Sequence, residues 1–398
     1  MNDPSYASAT NSTSNIGALA QSPALIALRE RLQRSVSAVL DEAIAIQQIP
    51  APTFEENARA EYVQRRFTQL GLLNIEVDSL YNVYGRLPGS NATQSALLIA
   101  AHTDTVFERN TALEVVRRDG RVYGPGLGDN SLGVAAVLAL VAALREEHLP
   151  VDVWFVANSR EEGMGNLGGI QAVHNKLGSC LGSAIIVEGM AYGHIYHAGI
   201  RVRRLEISCQ TGGGHSWLHF GRPSAIHHLM RVGAAIAGMQ VPNSPRTTYN
   251  IGMISGGQSV NSIAANASLL LDLRSTSPEM VEILEREVAG IVEAAQAPGV
   301  TFEIKVVGDR PSGEIPVTHP LVQLARDALQ LLGTQAFFER GSTDANALLA
   351  ANLPTITLGV TRGGNAHRLD EYIEGEHIGN GLFQLALVAV AAASGLAS

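Results

Sequence analysis

The sequence predicts an α/β fold with a mostly parallel sheet, into which a smaller domain is inserted. Short apolar runs bounded by turn residues alternate with helical runs over residues 23–188, as in a sheet buried on both faces. The order of elements then changes to βαββαβ, and the first pattern resumes after residue 311. One α/β domain interrupted by an independent module accounts for this order.

The interrupted domain is predicted from its apolar strands and the helices between them. Its elements are strands at 96–101, 151–157, 183–187 and 355–360, and helices at 131–147 and 321–332. Residues 1–22 are rich in Ser, Thr and Asn and lack the basic and apolar regions of a secretory signal. We therefore expect a disordered tail at 1–22 and a domain formed by 23–198 and 310–398.

The inserted domain, at 199–309, has the element order of a split βαβ, or ferredoxin-like, module. Its predicted elements are a strand at 202–209, a helix at 223–239, strands at 247–254 and 267–274, a helix at 278–296 and a strand at 300–307.

The composition excludes several classes of protein. The chain has 28 Lys and Arg against 37 Asp and Glu, a formal net charge of −9, and no basic stripe that would bind nucleic acid. Hydrophobic residues make up 46% and charged residues 16%, which excludes an intrinsically disordered chain. The longest apolar runs, 134–144 and 385–393, are shorter than the roughly 20 residues of a membrane span and predict buried helices.

The cysteines indicate a reducing compartment. Cys180 and Cys209 are the only two in a chain of 398 residues, which is long enough to need no disulfide. We therefore expect reduced thiols in a cytoplasmic protein, with neither nucleic acid nor a membrane as a partner.

Acidic and histidine side chains follow several predicted strands, where functional groups gather in sheets of this kind. The residues in question are His102 and Asp104, Glu161 and Glu162, Glu188 and His367, with Asp129 at the start of the long helix. Histidine and carboxylate are ligands that suit a divalent metal such as Zn²⁺.

The number of these groups favours two metals. Five candidate ligands exceed what one tetrahedral site takes from protein, and they suffice for two metals about 3.5–4 Å apart if one carboxylate bridges them. These ligands are His102, Asp129, Glu162, Glu188 and His367. Glu161, left unliganded beside them, would act as general base for a water molecule.

Each residue also has an ordinary structural explanation. His102 alone is typical of a hydrogen-bonded structural histidine, Glu161 and Glu162 of a solvated loop, and Glu188 of a strand-end acid. Asp129 alone is typical of a helix N-cap. Their conjunction favours a metal centre, because burying so many acids without a cation is costly.

Two other classes of function are alternatives. Gly163, Gly165 and Gly168 match the dinucleotide motif GxGxxG after a strand, and Glu188 stands 20 residues after Gly168, where a ribose-binding acid is expected. This would make the protein an NAD-dependent oxidoreductase, although Glu161 would then face a pyrophosphate. The other alternative is a non-catalytic binding protein of the same fold.

Five short motifs carry a family resemblance. They are His-Thr-Asp within 97–105, Gly-Leu-Gly-Asp-Asn-Ser-Leu-Gly at 126–133, Glu-Glu-Gly at 161–163, Val-Glu-Gly at 187–189 and Ala-His-Arg-Leu-Asp-Glu at 366–371. Together they resemble the M20 family of dinuclear zinc peptidases and amidohydrolases. The resemblance implies two Zn²⁺ per chain, with Co²⁺ or Mn²⁺ as substitutes. It implies that Asp129 bridges the two metals, that His102 and Glu188 bind one of them, and that Glu162 and His367 bind the other. It also implies that Asp104 orients His102 and that Glu161 acts as general base and acid.

The resemblance extends to the inserted domain, which it identifies as a lid and dimerisation domain. The run Gly-Gly-Gly-His-Ser-Trp at 212–217 resembles a family loop whose histidine reaches the active site of the neighbouring subunit. It implies a homodimer and a catalytic His215, whereas an incidental histidine in a hairpin is the alternative. The substrate-binding residues that it implies are Gly257, Asn261 and Arg274 in the lid, and Ser342 and Gly364 in the other domain.

The implied function is hydrolysis of an amide bond in a small peptide by an exopeptidase, either a di- or tripeptidase or a carboxypeptidase-like enzyme. An N-acyl-amino-acid deacylase with the same mechanism is the alternative. Ser131 stands where many family members have Lys, and Glu188 is usual in the deacylases. The His-Ser-Trp run is more typical of the peptidases, so the substrate class stays open.

Overall fold

The computed structural model describes residues 13–91 and 93–396, and the chain forms two compact units. Unit 1 comprises Met1–Ala198 and Gly313–Ser398, and unit 2 comprises Gly199–Ser312. The second boundary lies after residue 312, whereas the sequence analysis placed it after residue 309. The last strand of unit 2 remains paired as far as Arg310, opposite Val202, which keeps these residues in unit 2.

The helices of the described residues are α1 (Thr13–Ala20), α2 (Pro23–Gln47), α3 (Asn57–Gln69), α4 (Leu132–Leu144), α5 (Gly168–Leu177), α6 (Ala225–Ala237), α7 (Pro278–Ala294), α8 (Pro320–Leu331), α9 (Ala345–Ala350) and α10 (Ile378–Ala393). The strands are β1 (Leu73–Val77), β2 (Val83–Leu87), β3 (Ala96–His102), β4 (Val116–Arg118), β5 (Arg121–Tyr123), β6 (Val153–Asn158), β7 (Leu181–Glu188), β8 (His194–Gly199), β9 (Arg201–Thr211), β10 (Gly214–His215), β11 (Thr247–Gly256), β12 (Ser262–Ile263), β13 (Asn266–Ser275), β14 (Val300–Arg310), β15 (Gly313–Glu314), β16 (Phe337–Gly341), β17 (Thr355–Gly359), β18 (Gly363–Gly364) and β19 (Tyr372–Glu374).

The main sheet of unit 1 has the order β1, β2, β6, β3, β7, β17, β8 and β15, with β16 also paired to β8. The central strands β6, β3, β7 and β17 are parallel to one another. Strands β2 and β8 pair antiparallel with the two outermost of these. Every residue of β3 is buried, as expected for a strand covered on both faces. The predicted α/β fold with a mostly parallel sheet is therefore confirmed.

The predicted apolar helices lie in the core of unit 1. The segment Leu127–Leu144 is long and apolar enough to cross a membrane by length and composition, but 83% of it is buried within the fold. Helix α10 is also apolar, and most of its residues are buried. Both segments therefore have the burial of core helices.

The N-terminal segment differs from its prediction. Residues 1–12 of the expected disordered tail lie outside the described residues, but Thr13–Ala20 forms α1. Ile16 in this helix is 1% exposed and belongs to the core of unit 1. The prediction of disorder is therefore wrong for residues 13–20, because Ile16, together with the partly buried Leu19 and Ala20, packs on the core although the average composition of the segment is polar.

Unit 2 is an antiparallel sheet in the order β11, β13, β9 and β14, with α6 and α7 packed on it. Burial alternates along β13, because one face of the sheet packs on the helices and the other does not. The elements follow one another as β9, α6, β11, β13, α7 and β14, which confirms the predicted βαββαβ order. A separate two-stranded sheet joins β10 to β12.

Candidate metal centre

The five predicted metal ligands come together in unit 1. His102 is the last residue of β3 and Glu188 the last of β7, so neighbouring parallel strands present them at the same edge of the sheet. Glu162 follows β6, Asp129 lies in the turn before α4, and His367 lies in the loop after β18. His102, Glu188 and Glu162 thus lie beyond the carboxyl ends of strands, where functional groups are expected in such a sheet.

Asp129 lies between the two histidines. Its Oδ1 atom is 3.2 Å from Nε2 of His102, and its Oδ2 atom is 3.2 Å from Nε2 of His367. The Nε2 atom of His102 is also 3.7 Å from a carboxylate oxygen of Glu188, and that of His367 is 3.2 Å from one of Glu162. Each oxygen of Asp129 therefore faces a different His-Glu pair, which suits a carboxylate shared by two cations.

The pKa values of these side chains indicate that carboxylates crowd the site and that its groups hold on to protons. Burial raises the pKa of Glu162 and of Glu188 to about 7, despite their hydrogen bonds to histidine. Hydrogen bonds to Asp129 and Glu162 raise the pKa of His367 to about 10. Burial lowers the pKa of His102, but its bonds to Asp104, Asp129 and Glu188 outweigh that effect and raise it well above the usual value.

A divalent cation fits this donor set. Without one, protons on the histidines and glutamates balance the buried carboxylates, and metal ions would displace those protons. Ligand atoms of His102, Asp129 and Glu162 all lie within 4.8 Å of one another, and the three residues form a cluster able to hold a metal ion. Nitrogen and oxygen ligands suit Zn²⁺, Co²⁺ and Mn²⁺.

Asp104 holds the segment that carries two of the functional glutamates. Its Oδ1 atom accepts the backbone N–H of Glu161 and its Oδ2 atom that of Glu162, each at 2.9 Å. Nδ1 of His102 lies 3.1 Å from the backbone carbonyl oxygen of Asp104 and 3.5 Å from the carboxylate. Asp104 therefore contacts Nδ1 of His102 through both its main-chain carbonyl and its carboxylate, and the carboxylate also positions Glu161 and Glu162.

Glu161 is adjacent to this cluster. It is 6% exposed and precedes Glu162, whose carboxylate lies 3.2 Å from Nε2 of His367. After burial, the charge of Glu161 is among the causes that raise the pKa of Glu162 and of Glu188, so its carboxylate lies close to both candidate ligands. A general base would have to lie in such a position.

Two residues without a role predicted from the sequence, Glu371 and Asn130, shape the Asp129 turn. The carboxylate of Glu371 accepts the backbone N–H groups of Gly126, Gly128 and Asp129. The side chain of Asn130 donates to the carbonyl of Val187 and accepts from the N–H of Gly189. Both residues lie within motifs that the sequence analysis identified, but spacing along the chain does not show which backbone groups they contact.

The dinucleotide alternative is wrong. The N–H groups of Glu161 and Glu162, which precede the glycines, already donate to the carboxylate of Asp104. Glu188, the expected ribose-binding acid, lies against His102 in the metal-ligand cluster. The Gly163–Gly165 turn and the start of α5 at Gly168 thus follow a carboxylate-rich site, in which a pyrophosphate would be repelled.

The predicted residues of unit 2 fall into two places. His215 on β10 pairs with Ser262 of β12, and the carbonyl of the neighbouring Asn261 accepts the N–H of Ser216. Gly257 adopts a left-handed φ of 76° and donates its N–H to Asn266, at the start of β13. These three predicted residues therefore belong to one end of unit 2.

Arg274 lies at the other end of β13. The strand advances about 3.3 Å per residue, so eight residues from Asn266 to Arg274 span about 26 Å. The Nε atom of Arg274 is 2.5 Å from Asp272 Oδ2, and the Arg274 side chain is 40% exposed. Within one copy of unit 2, Arg274 is therefore distant from the loop region that carries His215 and Asn261.

The remaining two predicted substrate residues are in unit 1. Ser342 follows β16 and is partly buried, and Gly364 pairs with Tyr372 in the small sheet of β18 and β19. A Cβ atom at Gly364 would approach the Tyr372 ring to 2.9 Å, so the tyrosine restricts this position to glycine.

Comparison with known proteins gives the family of the chain. Residues 98–389 match the profile of peptidase family M20/M25/M40. The chain is 26% identical over 335 residues to an acetylornithine deacetylase from Salmonella arizonae, covering 77% of this chain and 84% of that one.

Solved structures have the same fold. A tripeptidase from Staphylococcus aureus subsp. aureus mu50 aligns with a TM-score of 0.73 at 20% identity, covering 90% of this chain and 98% of that one. YXEP of Bacillus subtilis, described as a dinuclear metal binding peptidase from the M20 family, aligns with a TM-score of 0.63 at 17% identity. The alignment covers 90% of this chain and 99% of YXEP. With the profile match over most of its length, the chain belongs to peptidase family M20/M25/M40 and is a metal-dependent hydrolase of that family.

Proposed function

We propose that this protein is an exopeptidase that hydrolyses an amide bond in a small peptide at a centre of two zinc ions. The observation that carries the proposal is the position of Asp129 between His102 and His367, with the charge of Glu161 acting on the neighbouring ligands Glu162 and Glu188. The likeness to a tripeptidase and to a dinuclear metal binding peptidase supports it.

The geometry supports a division of the ligands between two ions. His102 and Glu188 would hold one ion and Glu162 and His367 the other, with Asp129 between them. Bound divalent ions supply Lewis acidity, which polarises a carbonyl group and lowers the pKa of water.

Glu161 performs the proton transfers in this proposal. Its carboxylate takes a proton from the attacking water and returns it to the leaving amine, as a general base and then a general acid. Asp104 fixes the Glu161 backbone, so the carboxylate has a defined starting position. Burial of Glu161 excludes bulk water from the base.

His215 suits a donor to the carbonyl oxygen of the substrate. Its Nδ1 atom accepts backbone N–H groups from Trp217 at 3.2 Å and from Leu218 at 3.4 Å. A ring nitrogen that accepts carries no proton, so the neutral imidazole has its proton on Nε2, which is then a donor. Such a donor stabilises the developing oxyanion.

Two copies of the chain would complete the site. Arg274 suits the free carboxylate of a substrate because its planar guanidinium pairs with carboxylates in two places. Since Arg274 and the His215 region lie at opposite ends of β13, a small substrate that contacts both requires two copies of unit 2. This supports a homodimer through unit 2, in which His215 serves the partner's site.

A deacylase of N-acyl amino acids is the second candidate function, favoured by the similarity to an acetylornithine deacetylase. It uses the same residues in the same roles. We also propose a cytoplasmic location, consistent with cysteines that form no disulfide in the described residues.

The experiment that tests the function combines metal content with a substrate panel. We expect elemental mass spectrometry to find about two equivalents of zinc per chain, as two-metal hydrolysis requires. The zinc-loaded protein is then assayed with di- and tripeptides beside N-acyl amino acids, including acetylornithine. Preference for peptides supports the exopeptidase, and preference for acylated amino acids supports the deacylase. Failure to bind metal after reloading contradicts both functions.

A further inference from the structure

Asp344 is a buried carboxyl group for which the proposed chemistry has no use. It is fully buried in unit 1 and stands at the N-terminus of α9. An aspartate there normally caps its helix, but the side chain of Asp344 makes no capping hydrogen bond. Thr343 fulfils this role in part, since its Oγ1 atom accepts the N–H of Ala345. The ordinary structural explanation for Asp344 therefore fails.

The partner of Asp344 is the last residue of β6. The Nδ2 atom of Asn158 donates to Oδ2 of Asp344 at 2.7 Å. The other oxygen of each group, Oδ1 of Asn158 and Oδ1 of Asp344, is buried and receives no hydrogen bond from the described residues. Two buried acceptors without donors on two bonded side chains are costly, and a proton on the carboxyl group removes both deficits at once.

A protonated Asp344 would donate from Oδ1 to Oδ1 of Asn158, while Asn158 donates back from Nδ2. This pair of opposed hydrogen bonds uses the single donor of the acid and gives each of the four polar side-chain atoms of the two residues a partner. The pKa of Asp344 lies well above its usual value, first because of burial and then because of the negative charge of Glu161. The charge of Glu188 acts in the same direction, whereas His102 opposes it.

Asn158 connects this pair to the site. It lies opposite His102 in the pairing of β6 with β3, and its carbonyl accepts the N–H of Thr103 at 2.7 Å. Glu161 follows it by three residues along the chain. A side chain that fixes Asn158 therefore fixes the end of the strand from which the proposed base departs.

We propose that Asp344 is a positioning residue that works as a neutral acid, paired with Asn158 through two opposed hydrogen bonds, and that it anchors the segment carrying Glu161 without adding a charge beside it. The inference rests on the proposed function, because only there is Glu161 the base.

The test compares Asp344→Asn with Asp344→Ala in the full-length, zinc-loaded protein. An asparagine amide reproduces the neutral acid, since it accepts from Nδ2 of Asn158 and donates to Oδ1. We expect Asp344→Ala to lower kcat at least about tenfold with less than about a threefold change in KM, since positioning of the base affects the chemical step. We expect Asp344→Asn to recover most of the lost kcat. If Asp344→Asn is as impaired as the alanine variant, Asp344 acts as a charge and the proposal is wrong.

Thermal unfolding gives a readout that does not depend on turnover. An acid whose pKa is raised by folding destabilises the folded state as pH rises above the pKa of the unfolded chain. Asp344→Asn removes this penalty, so its Tm relative to wild type should rise by at least about 2 °C between about pH 4 and about pH 8. A carboxylate that is ionised in the folded state predicts the opposite trend, with the variant becoming less stable than wild type as pH rises. A difference in Tm between Asp344→Asn and wild type that does not change with pH also contradicts the proposal.

Asp327→Asn is the matched control. Asp327 is buried like Asp344, but its Oδ1 atom lies 2.5 Å from the guanidinium of Arg326, so an amide in its place would lose an ion pair. The same substitution should therefore lower Tm at neutral pH, unlike Asp344→Asn. If wild type hydrolyses no substrate in the panel, the proposed function fails while the Tm comparison still decides the protonation of Asp344.

Discussion

The Oε1 atom of Glu371 accepts the backbone N–H of Asp129 at 3.0 Å, across 242 residues of sequence. The same carboxylate accepts the N–H groups of Gly126 and Gly128. One acidic side chain thus organises the turn that presents Asp129 to both histidines. Glu371 also follows His367 by four residues, so it links the loops that carry two of the proposed ligands.

Replacing Glu371 by glutamine should weaken metal binding. The amide of glutamine offers one oxygen instead of two, and its NH₂ group would face backbone donors. Loss of groups that orient metal ligands typically costs about 10–100-fold in affinity, and we expect a loss in this range for Glu371→Gln. Competition with a fluorescent zinc chelator measures it.

Glu374→Gln serves as the control for this substitution. Glu374 lies in the neighbouring strand β19 and pairs with Arg121 at 3.5 Å, with both side chains partly exposed. An exposed ion pair contributes little, so zinc affinity should stay within about twofold of wild type. Equal affinity of the Glu371→Gln variant and wild type would show that the turn holds its shape without the carboxylate.

The sequence predicts the ligands at strand ends better than the groups that support them. His102, Glu162 and Glu188 follow apolar runs, and the carboxyl ends of parallel strands meet at one edge, so their proximity follows from fold class alone. Glu371 and Asp344 act through hydrogen bonds to distant segments. Such long-range contacts cannot be predicted from periodicity or spacing along the chain, so the hydrogen-bond partners of Glu371 and Asp344 are identified only from the structure.

Two other features of the structure were not predictable from the sequence, and each has a local cause. Ile16 anchors α1 in a segment that average composition assigns to disorder. The family resemblance gives Asn261 and Arg274 a common role in substrate binding, yet the antiparallel pairing of β13 with β9 puts Arg274 opposite Val202 and Asn266 opposite Gln210. The strand register, which cannot be read from the sequence, therefore puts Arg274 at the opposite end of β13 from Asn266.

Metal affinity should increase with pH. Burial raises the pKa of Glu162 and Glu188 to about 7, so without metal these groups keep protons that the unfolded chain has lost between about pH 4.5 and about pH 7. The pKa of His367 is raised to about 10, so the stabilisation by its charge is lost as pH rises through that value. Both effects lower the stability of the metal-free protein as pH rises.

Metal binding must displace these protons, so zinc should raise Tm more at about pH 7.5 than at about pH 5.5, with affinity rising at least about tenfold. Differential scanning fluorimetry with and without zinc across this range measures the difference. A zinc-induced shift in Tm that is independent of pH would contradict displacement of protons from the glutamates and histidines.

Replacing Glu161 by alanine should abolish turnover without emptying the metal centre. General-base catalysis contributes about 10²-fold or more, and we expect kcat to fall by at least that factor. Zinc content should stay at the wild-type level, because the variant keeps all five proposed ligands, including Glu162 beside His367. Steady-state kinetics and elemental analysis of the same sample check both expectations. Retained turnover would remove Glu161 from the proposed mechanism.

Mixing two inactive variants tests whether His215 serves the partner's site. His215→Ala lacks the proposed oxyanion donor and Glu161→Ala lacks the base, so each variant alone should have low activity. In a mixed dimer, the site that retains Glu161 receives an intact His215 from the other chain. Random exchange of equal amounts makes half of the dimers mixed with one competent site each, so we expect about one quarter of wild-type activity.

Co-expression with two affinity tags isolates the mixed dimer and removes the need for exchange after folding. The purified mixed dimer should then reach about half of wild-type activity, because one of its two sites is complete. A histidine that acts within its own chain predicts no recovery in either experiment, since each chain would lack one group. The separation of Arg274 from the His215 region along β13 makes recovery the expected outcome, because one copy of unit 2 cannot offer both groups to one small substrate.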